Sequence, residues 1–344
     1  MTAGGESRPL AGGWLSSSML VAFALFGTLP LWIQQIGLYR YLGVEILIWC
    51  LFALGFNLLL GYTGLPSFGH GAYFGIGAYA MGLTQFRLVA DLWICLLAAT
   101  LAAALVGGSV ALFISHRRGI YFALMTIAFG QMFFFIASKW TSVTGGEDGL
   151  LNIRRLPARF GVVSFDLTDN LAMSYFVFAT FVVVTILLWR LVHSPFGKVL
   201  RAIKQNETRM AYLGYRVFVY KWTSFTLSCA VAGLAGGLFA MAQNGAYVQV
   251  MSLQWSGVVV LMTLIGGGLV SFWGPVVGTV VYFVARDLLG AYTESWLLWF
   301  GLMFMVVVMF KPEGVAGVWQ DAAARLAAHR RARRAVTLQP AEGD

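Results

Sequence analysis

Residues 194–215, SPFGKVLRAIKQNETRMAYLGY, form a short basic segment between two long apolar runs. Ser194 is a favourable N-cap residue, Pro195 suits the first helical position, and Gly214 suits the position just after a helix. Apolar residues recur every three or four positions, which predicts one amphipathic helix over 194–213. These features leave two roles open: a helix that lies on a membrane surface, or a helix that docks in a groove of a partner.

The sequence around this segment is that of a membrane protein. Of the 344 residues, 59% are hydrophobic and 11% are charged, whereas soluble domains carry about 25% charged residues. A helix that crosses a bilayer needs roughly 20 apolar residues. We therefore predict an all-α polytopic membrane protein with about ten transmembrane helices, at residues 19–38, 42–60, 64–83, 91–114, 119–138, 171–192, 222–243, 253–270, 272–290 and 295–311.

Glycine and proline predict where helices break and where they pack closely. The third apolar run is rich in glycine and contains Pro66, so we expect a broken or re-entrant helix there. Pairs of glycines four residues apart lie on one helix face and allow a neighbouring helix to approach closely. Three such pairs occur: Gly71 with Gly75, Gly233 with Gly237, and Gly274 with Gly278.

The distribution of lysine and arginine predicts the orientation. Residues 190–221 carry seven basic residues and one acid, and the loop 115–118 and the C-terminal tail are also basic. With ten spans these regions share one side, which the positive-inside rule makes cytoplasmic, whereas the charge-balanced loop 139–170 lies on the other side. The net charge of +9 thus indicates orientation, not nucleic-acid binding. The predicted organisation is a cytoplasmic segment 1–18, a transmembrane domain 19–311 containing the loop 193–221, and a basic cytoplasmic tail 312–344.

The sequence lacks the motifs of an enzyme or an ATPase. The dipeptide Gly197–Lys198 has no phosphate-loop spacing around it, and the four histidines form no zinc-protease motif. The three cysteines lie in apolar runs and form no C-x-x-C pair. We therefore predict no catalytic residue, no metal site and no cofactor in this chain.

Few charges lie within the apolar runs. Glu45, Arg286 and Asp287 are the main examples, and we expect them to be interfacial or locally paired. A proton or sodium relay needs more ionisable groups than these. If the chain transports a solute, the energy is expected to come from another polypeptide.

The loop resembles the cytoplasmic coupling loop of the LivH/LivM-type permeases of branched-chain amino acid ABC importers. Family-like stretches also occur at 57–64, 67–79, 144–150, 230–238 and 266–278, so the resemblance covers roughly residues 42–315, with a departure at Leu65–Pro66. The loop residues that match are Ser194, Pro195, Phe196, Gly197, Lys198, Leu200, Arg201, Ile203, Lys204, Glu207 and Gly214.

The resemblance implies a type II ABC importer permease fold in a bacterial cytoplasmic (inner) membrane, with both termini cytoplasmic. The implied partners are a second, LivH-like permease, two LivG/LivF-like ATPases that bind ATP and Mg²⁺, a periplasmic or tethered substrate-binding protein, and membrane lipids. Phe196, Leu200 and Ile203 are expected to enter a groove of the ATPase, while Lys198 and Arg201 meet acidic residues at its rim. On this basis Leu200→Asp would abolish coupling and leave expression intact.

Two further sets of residues are candidates for transport. Along the translocation pathway we select the polar residues Asn57, Ser67, His70 and Gln131, although a histidine between two glycines is also typical of a packed, hydrogen-bonded residue. In the outer loop, Arg154, Arg155 and Arg159 are candidates for docking a binding protein, although such charges often belong to a solvated loop face.

Alternatives remain open for substrate and class. Members of the family import Leu, Ile and Val, other amino acids, or urea and short amides. An alternative of a different class is an autonomous channel or secondary carrier, which would transport without partners and would leave the helix 194–213 without a role. A membrane enzyme has no catalytic constellation to support it.

Overall fold

The structure, a computed structural model, describes residues 23–24, 26–28, 40–160, 163–269, 271–293, 295–310 and 314. Helices predominate, with two small antiparallel strand pairs, Leu150–Leu151 with Gly245–Ala246 and Ala158–Phe160 with Val163–Phe165. The helices are α1 (Arg40–Asn57), α2 (His70–Arg87), α3 (Leu92–Ile114), α4 (Gly119–Lys139), α5 (Thr141–Thr144), α6 (Asn170–His193), α7 (Pro195–Gln205), α8 (Glu207–Tyr212), α9 (Val217–Ala242), α10 (Leu253–Gly266), α11 (Gly274–Tyr292) and α12 (Trp296–Phe310). The strands are β1 (Leu150–Leu151), β2 (Ala158–Phe160), β3 (Val163–Phe165) and β4 (Gly245–Ala246), and 3₁₀ turns cover Gly146–Asp148 and Val248–Met251.

Six helical segments of the described chain are long and apolar enough to cross a membrane: Tyr41–Thr63, α3, α4, α6, α9 and α11. The chain is thus a polytopic, mostly helical membrane protein. The total of ten spans stays a prediction, since α10 has only 14 residues and the predicted span 19–38 lies largely outside the described residues. The terminal segment 1–18 and nearly all of the tail 312–344 also lie outside them.

The central element is α1, which is buried from Leu42 to Asn57 and packs against α6, α9, α10 and α11. Near its start Glu45 binds Arg286 of α11 through both carboxylate oxygens, at 3.3 and 3.2 Å. The guanidinium also lies 4.6 Å from the Phe283 ring centroid. This arrangement confirms the expectation that these charges are locally paired.

The α-helical part of α1 ends in a π-helical turn, Leu58–Thr63 (the π turn). Gly64 closes it with a φ of +76°, a conformation that glycine adopts without steric cost. Residues 64–69 then run without helix, as expected for a broken third segment, and α2 begins at His70. A Cβ on Gly69 would overlap the Thr126 carbonyl oxygen of α4. The non-helical backbone is therefore covered by protein, which is what a membrane interior requires.

The predicted glycine pairs do mediate close helix packing. A Cβ on Gly233 in α9 would overlap Ala103 of α3, and a Cβ on Gly278 in α11 would overlap the Met262 carbonyl oxygen of α10. Neighbouring helices therefore approach each other at backbone distance, as in membrane helix pairs with small residues at the interface.

The loops separate into two ends of the helix bundle. At one end, called here the loop end, Arg118 of the loop 115–118 contacts Glu207 of α8. At the opposite end, Gln85 exchanges hydrogen bonds with the Arg154 backbone, and Arg87 donates to the Ser142 carbonyl oxygen. This grouping agrees with the one predicted from the positions of the spans.

We expect Gly278→Ala to lower the free energy of unfolding by about 1–3 kcal/mol, because the added methyl group meets backbone that cannot move aside. The matched control is Gly290→Ala in the same helix, where a Cβ would meet nothing within 4 Å. Thermal unfolding of the purified protein in detergent measures both. Equal midpoints for the two variants would contradict close packing of α10 on α11.

Candidate functional site

The segment 194–215 forms two helices, so the prediction of one continuous helix is wrong. Ser194 and Pro195 occupy the predicted N-cap and first helical positions of α7. The chain then leaves helical geometry at Asn206, where φ is −157° and ψ is 96°. The Asn206 side chain accepts a hydrogen bond from the Arg209 N–H (2.9 Å) and so caps α8. Gly214, with φ +87°, follows the last turn as predicted.

The apolar face of α7 packs against this chain itself. Leu200 is fully buried in the main core, and Ile203 is buried with Met210 and Val217 in a smaller cluster. The half-buried Phe196 stacks on Tyr220, with ring centroids 5.6 Å apart. The expectation that Leu200 and Ile203 enter a partner's groove is therefore wrong, and Leu200→Asp would destabilise the fold.

A glycine sets the angle between α6 and α7. A Cβ on Gly197 would overlap the backbone of Val192, near the end of α6. The Ser194 hydroxyl donates to the Leu191 carbonyl oxygen at 2.6 Å in the same corner. These contacts fold α7 back against the transmembrane bundle, so its direction is fixed by the chain itself.

Glu207 joins three elements at the loop end. Its carboxylate lies 2.8 Å from Arg118 Nε and 3.4 Å from Lys221 Nζ. The Lys221 side chain is 1% exposed, and its ammonium also donates to the Arg117 carbonyl oxygen at 2.9 Å. A buried ammonium needs such partners. Glu207 thus fastens α8 to α9 and to the loop 115–118.

Two basic residues of α7 contact the π turn of α1. The Lys204 ammonium donates to the Gly61 carbonyl oxygen at 2.7 Å, and partial burial lowers the pKa of Lys204. The Arg201 guanidinium lies 5.6 Å from the Tyr62 ring centroid and donates to the Val192 carbonyl oxygen at 3.1 Å. All three basic side chains of α7, those of Lys198, Arg201 and Lys204, keep an exposed portion. Of the two cations expected at a partner's rim, Arg201 is thus engaged within the chain.

A polar cavity of about 340 Å³ opens between the π turn, the loop 115–118 and α8. Arg118, Lys204 and Lys221 line it together with one acid, Glu207, so its charge favours anionic groups. Among the described residues, no group of three or more His, Cys, Asp and Glu side chains could hold a metal ion.

The pathway candidates fall into two environments. Asn57, Ser67 and His70 are buried inside the chain, whereas Gln131 is exposed on α4, which is the least buried of the six candidate spans. The amide atoms of Asn57 and the Ser67 hydroxyl have no hydrogen-bond partner within the described part of the chain.

His70 is a packed and hydrogen-bonded residue in this arrangement. Its Nε2 lies 2.8 Å from the Ser228 hydroxyl, which itself donates to the Gly55 carbonyl oxygen at 2.7 Å. The histidine must therefore donate through Nε2. Aromatic rings surround the imidazole, from Phe52, Phe56, Tyr73 and Phe225.

The three arginines at the opposite end differ in their contacts. Arg155 donates to the Thr168 carbonyl oxygen, the Asn170 side chain and the Ala242 carbonyl oxygen, so it ties the loop to α6 and α9. The side chains of Arg154 and Arg159 are exposed. Only these two are presented at the surface.

Sequence reasoning missed the partners of Glu207 and the hydrogen bond from Lys204 to the Gly61 carbonyl oxygen. Arg118 and Lys221 were counted as orientation signals, although their charge is opposite to that of the one acid in the loop. No signal in the sequence identifies Gly61 as the acceptor of Lys204, because the acceptor is a backbone atom 143 positions away.

We expect Glu207→Gln to cost about 2–4 kcal/mol of stability, because it removes the charged partner of the buried Lys221. The double variant Glu207→Gln with Lys221→Met should recover most of this loss, since it removes both charges. The control is Glu147→Gln in the exposed pair with Lys139 (3.8 Å), which should change stability by less than about 1 kcal/mol. Thermal unfolding that left Glu207→Gln as stable as the control would contradict the anchoring role.

Comparison with known proteins supports a transport role. The family described as "Branched-chain amino acid transport system / permease component" matches residues 39–311. The high-affinity branched-chain amino acid transport system permease protein LivM of Salmonella typhimurium is 28% identical over 289 residues, which cover 78% of this chain and 68% of the relative. Probable branched-chain amino acid transport permease proteins LivM and LivH of Methanocaldococcus jannaschii are 23% and 24% identical, over 76% and 78% of this chain and 88% of each relative.

No solved structure matches the chain significantly. The family match spans α1 to α12 and includes the loop end with α7 and α8. The chain belongs to the family of permease components of branched-chain amino acid transport systems.

Proposed function

We propose that this chain forms half of the translocation pore of an ABC importer and is driven by separate ATPase subunits that act on α7 and α8. One observation carries the proposal. A basic helical loop is fastened to the central helix α1 through Lys204 and to α9 through Glu207, in a chain whose sequence has no phosphate-binding motif of its own. Such a loop is suited to receive force from a partner.

The loop end is proposed to face the cytoplasm of a bacterial inner membrane, with both termini on that side. Residues 190–221 and 115–118 hold most of the basic residues of the internal loops, whereas charges balance in 139–170. The positive-inside rule supports this orientation. ATP and Mg²⁺ would be bound by the two ATPase subunits.

The ATPase is proposed to contact the outer surface of α7 and α8. Tyr212 is 87% exposed and Leu213 is 67% exposed, an unusual exposure for large apolar side chains at the edge of a charged loop. The exposed Lys198 offers positive charge to acidic residues of the partner. Leu200, Ile203 and Gly197 are buried and set the conformation of the loop.

A second, LivH-like permease is proposed to cover α4. Its exposed face combines Leu124, Met132 and Phe135 with the polar Gln131. An amide that faced lipid alone would be costly, so a pathway between two permeases is the better environment for it. Asn57, Ser67 and His70 are proposed to shape this pathway from inside the subunit.

The substrate is proposed to be a branched-chain amino acid, delivered by a binding protein at the opposite end. The names of the relatives support this substrate class. Another amino acid, or urea or a short amide, is the alternative within the same mechanism.

Purification in mild detergent with mass spectrometry tests the assembly. We expect a second permease and ATPases with phosphate-loop motifs to be recovered together with this chain.

Tyr212→Glu combined with Leu213→Glu should lower ATPase recovery at least tenfold and leave the second permease bound. The matched control is Tyr292→Glu, which changes an equally exposed tyrosine (88%) at the end of α11. A chain that purified alone and transported alone in liposomes would instead support an autonomous carrier.

Charge reversal tests docking of the binding protein. We expect Arg154→Glu with Arg159→Glu to weaken its affinity about tenfold at low salt, with a smaller effect at high salt, because exposed charges act through screened attraction. Arg209→Glu at the loop end serves as the control. Unchanged affinity, measured by surface plasmon resonance on the detergent-purified complex, would contradict this docking surface.

A further inference from the structure

The C-terminal end of α1 is held by side chains from other helices. In the π turn the Gly61 carbonyl oxygen accepts from Lys204 of α7, and the Leu58 carbonyl oxygen accepts from the Thr63 hydroxyl (2.9 Å), which lies 2.8 Å from the Ser224 hydroxyl of α9. Helix C-terminal carbonyls need such donors and carry partial negative charge, which favours a cation. Lys204 therefore acts as a charged cap on the central helix.

The Lys204 side chain packs closely against the π turn. A Cβ on Gly64 would lie 2.8 Å from Cγ of Lys204, so the lysine stem lies directly against the backbone that closes the turn. Arg201, one turn earlier in α7, lies over the ring of Tyr62. α7 thus contacts the π turn through two side chains.

The other side of the π turn contacts a glycine-rich bend between α10 and α11, residues 266–268 (the glycine bend). A Cβ on Gly61 would overlap Asn57 Oδ1 and would lie 2.6 Å from the Gly268 carbonyl oxygen. A Cβ on Gly268 would lie 2.8 Å from Asn57 Oδ1. Asn57 is therefore enclosed between the π turn and the glycine bend.

The glycine bend has the features of a point of movement. It ends the short helix α10, and Gly267 adopts a φ of +83°. Asn57, which touches the bend, is 1% exposed, and its amide atoms have no hydrogen-bond partner among the described residues. Buried amides are normally paired, so Asn57 has hydrogen-bonding capacity available for another arrangement of the bend. π turns and irregular backbone inside membrane proteins also concentrate at functional positions.

We propose that Lys204 is a positioning residue for transport, which transmits movement of α7 through the π turn and Asn57 to the glycine bend. This inference rests on the proposed function, because it requires an ATPase that moves α7. It differs from a docking role, since it depends on the hydrogen bond from Lys204 to the Gly61 carbonyl oxygen of its own chain.

The test uses the complete importer, with its co-purified partners, in liposomes. Lys204→Met keeps the stem and removes the donor, and we expect solute transported per ATP hydrolysed to fall at least tenfold while ATP hydrolysis and ATPase recovery persist. Lys204→Arg, which can still donate to the Gly61 carbonyl oxygen, should recover part of the transport. The matched control is Lys139→Met, which changes an exposed lysine at the opposite end of the bundle and should leave transport unchanged.

A second measurement follows the glycine bend directly. Spin labels at Leu269→Cys, next to the bend, and Leu105→Cys, an exposed position on α3, should report an ATP-dependent change in distance that disappears in Lys204→Met. Where Lys204→Met is poorly recovered, Lys204→Gln tests the same step with a shorter side chain.

Two outcomes would overturn the proposal: an unchanged ratio of transport to hydrolysis with unchanged movement of the label, or loss of the ATPases from Lys204→Met, which would make Lys204 a docking residue. Absence of ATPases from the unsubstituted chain would instead refute the proposed function, and it would be seen before any substitution is tested.

Discussion

Backbone-to-backbone contact between helices is the constraint on which the rest of this structure depends. Inside a membrane there is little hydrophobic force between helices, so their association relies on close packing and on internal hydrogen bonds. Here Gly69 lies against α4, Gly233 against α3, and Gly278 against α10. Because these contacts involve backbone atoms, they fix distances between helix axes within narrow limits. The buried path of α1 and the irregular segment 64–69 are both possible only within that frame.

The loop at 194–216 is part of the same construction. Its apolar side chains belong to the core, its acid binds a buried lysine, and its basic residues contact the end of α1. The loop is therefore not a flexible connection between spans. Toward solvent it presents basic side chains of α7 and α8, among them Lys198 and Arg209, and the apolar residues Tyr212 and Leu213.

The sequence allowed much of the fold to be predicted, because hydropathy and charge are local signals. Six of the predicted spans, the two ends of the bundle, the start of α7 and the close glycine contacts follow from residue type and spacing. The orientation of the loop did not follow from them. An amphipathic pattern shows that Leu200 and Ile203 are buried, but it does not show whether their cover is a partner or the same chain. The break at Asn206 was missed because residues 207–213 continue with helix-forming residues, and the break depends on a side-chain cap.

The sites were harder to predict for a related reason. His70 was chosen as a polar residue among glycines, yet its pairing with Ser228 depends on a contact between residues 158 positions apart. Lys204 was recognised as part of the loop motif, whereas its acceptor is the backbone carbonyl oxygen of Gly61 in the π turn. A side chain that binds a backbone atom places no requirement on the residue type of its partner, so the sequence does not reveal such a contact.

The ion pair between Glu45 and Arg286 has a mechanical consequence for α1. It joins α1 to α11 at the end remote from the loop, while Lys204 holds the other end, and the helical stretch between them, from Glu45 to Gly61, is about 24 Å long. A rigid rod that is pinned at one end and pushed at the other turns about the pin. A turn of about 5° would carry the free end roughly 2 Å at this length. In such a lever the fulcrum is the ion pair, and the displacement is largest beside the glycine bend.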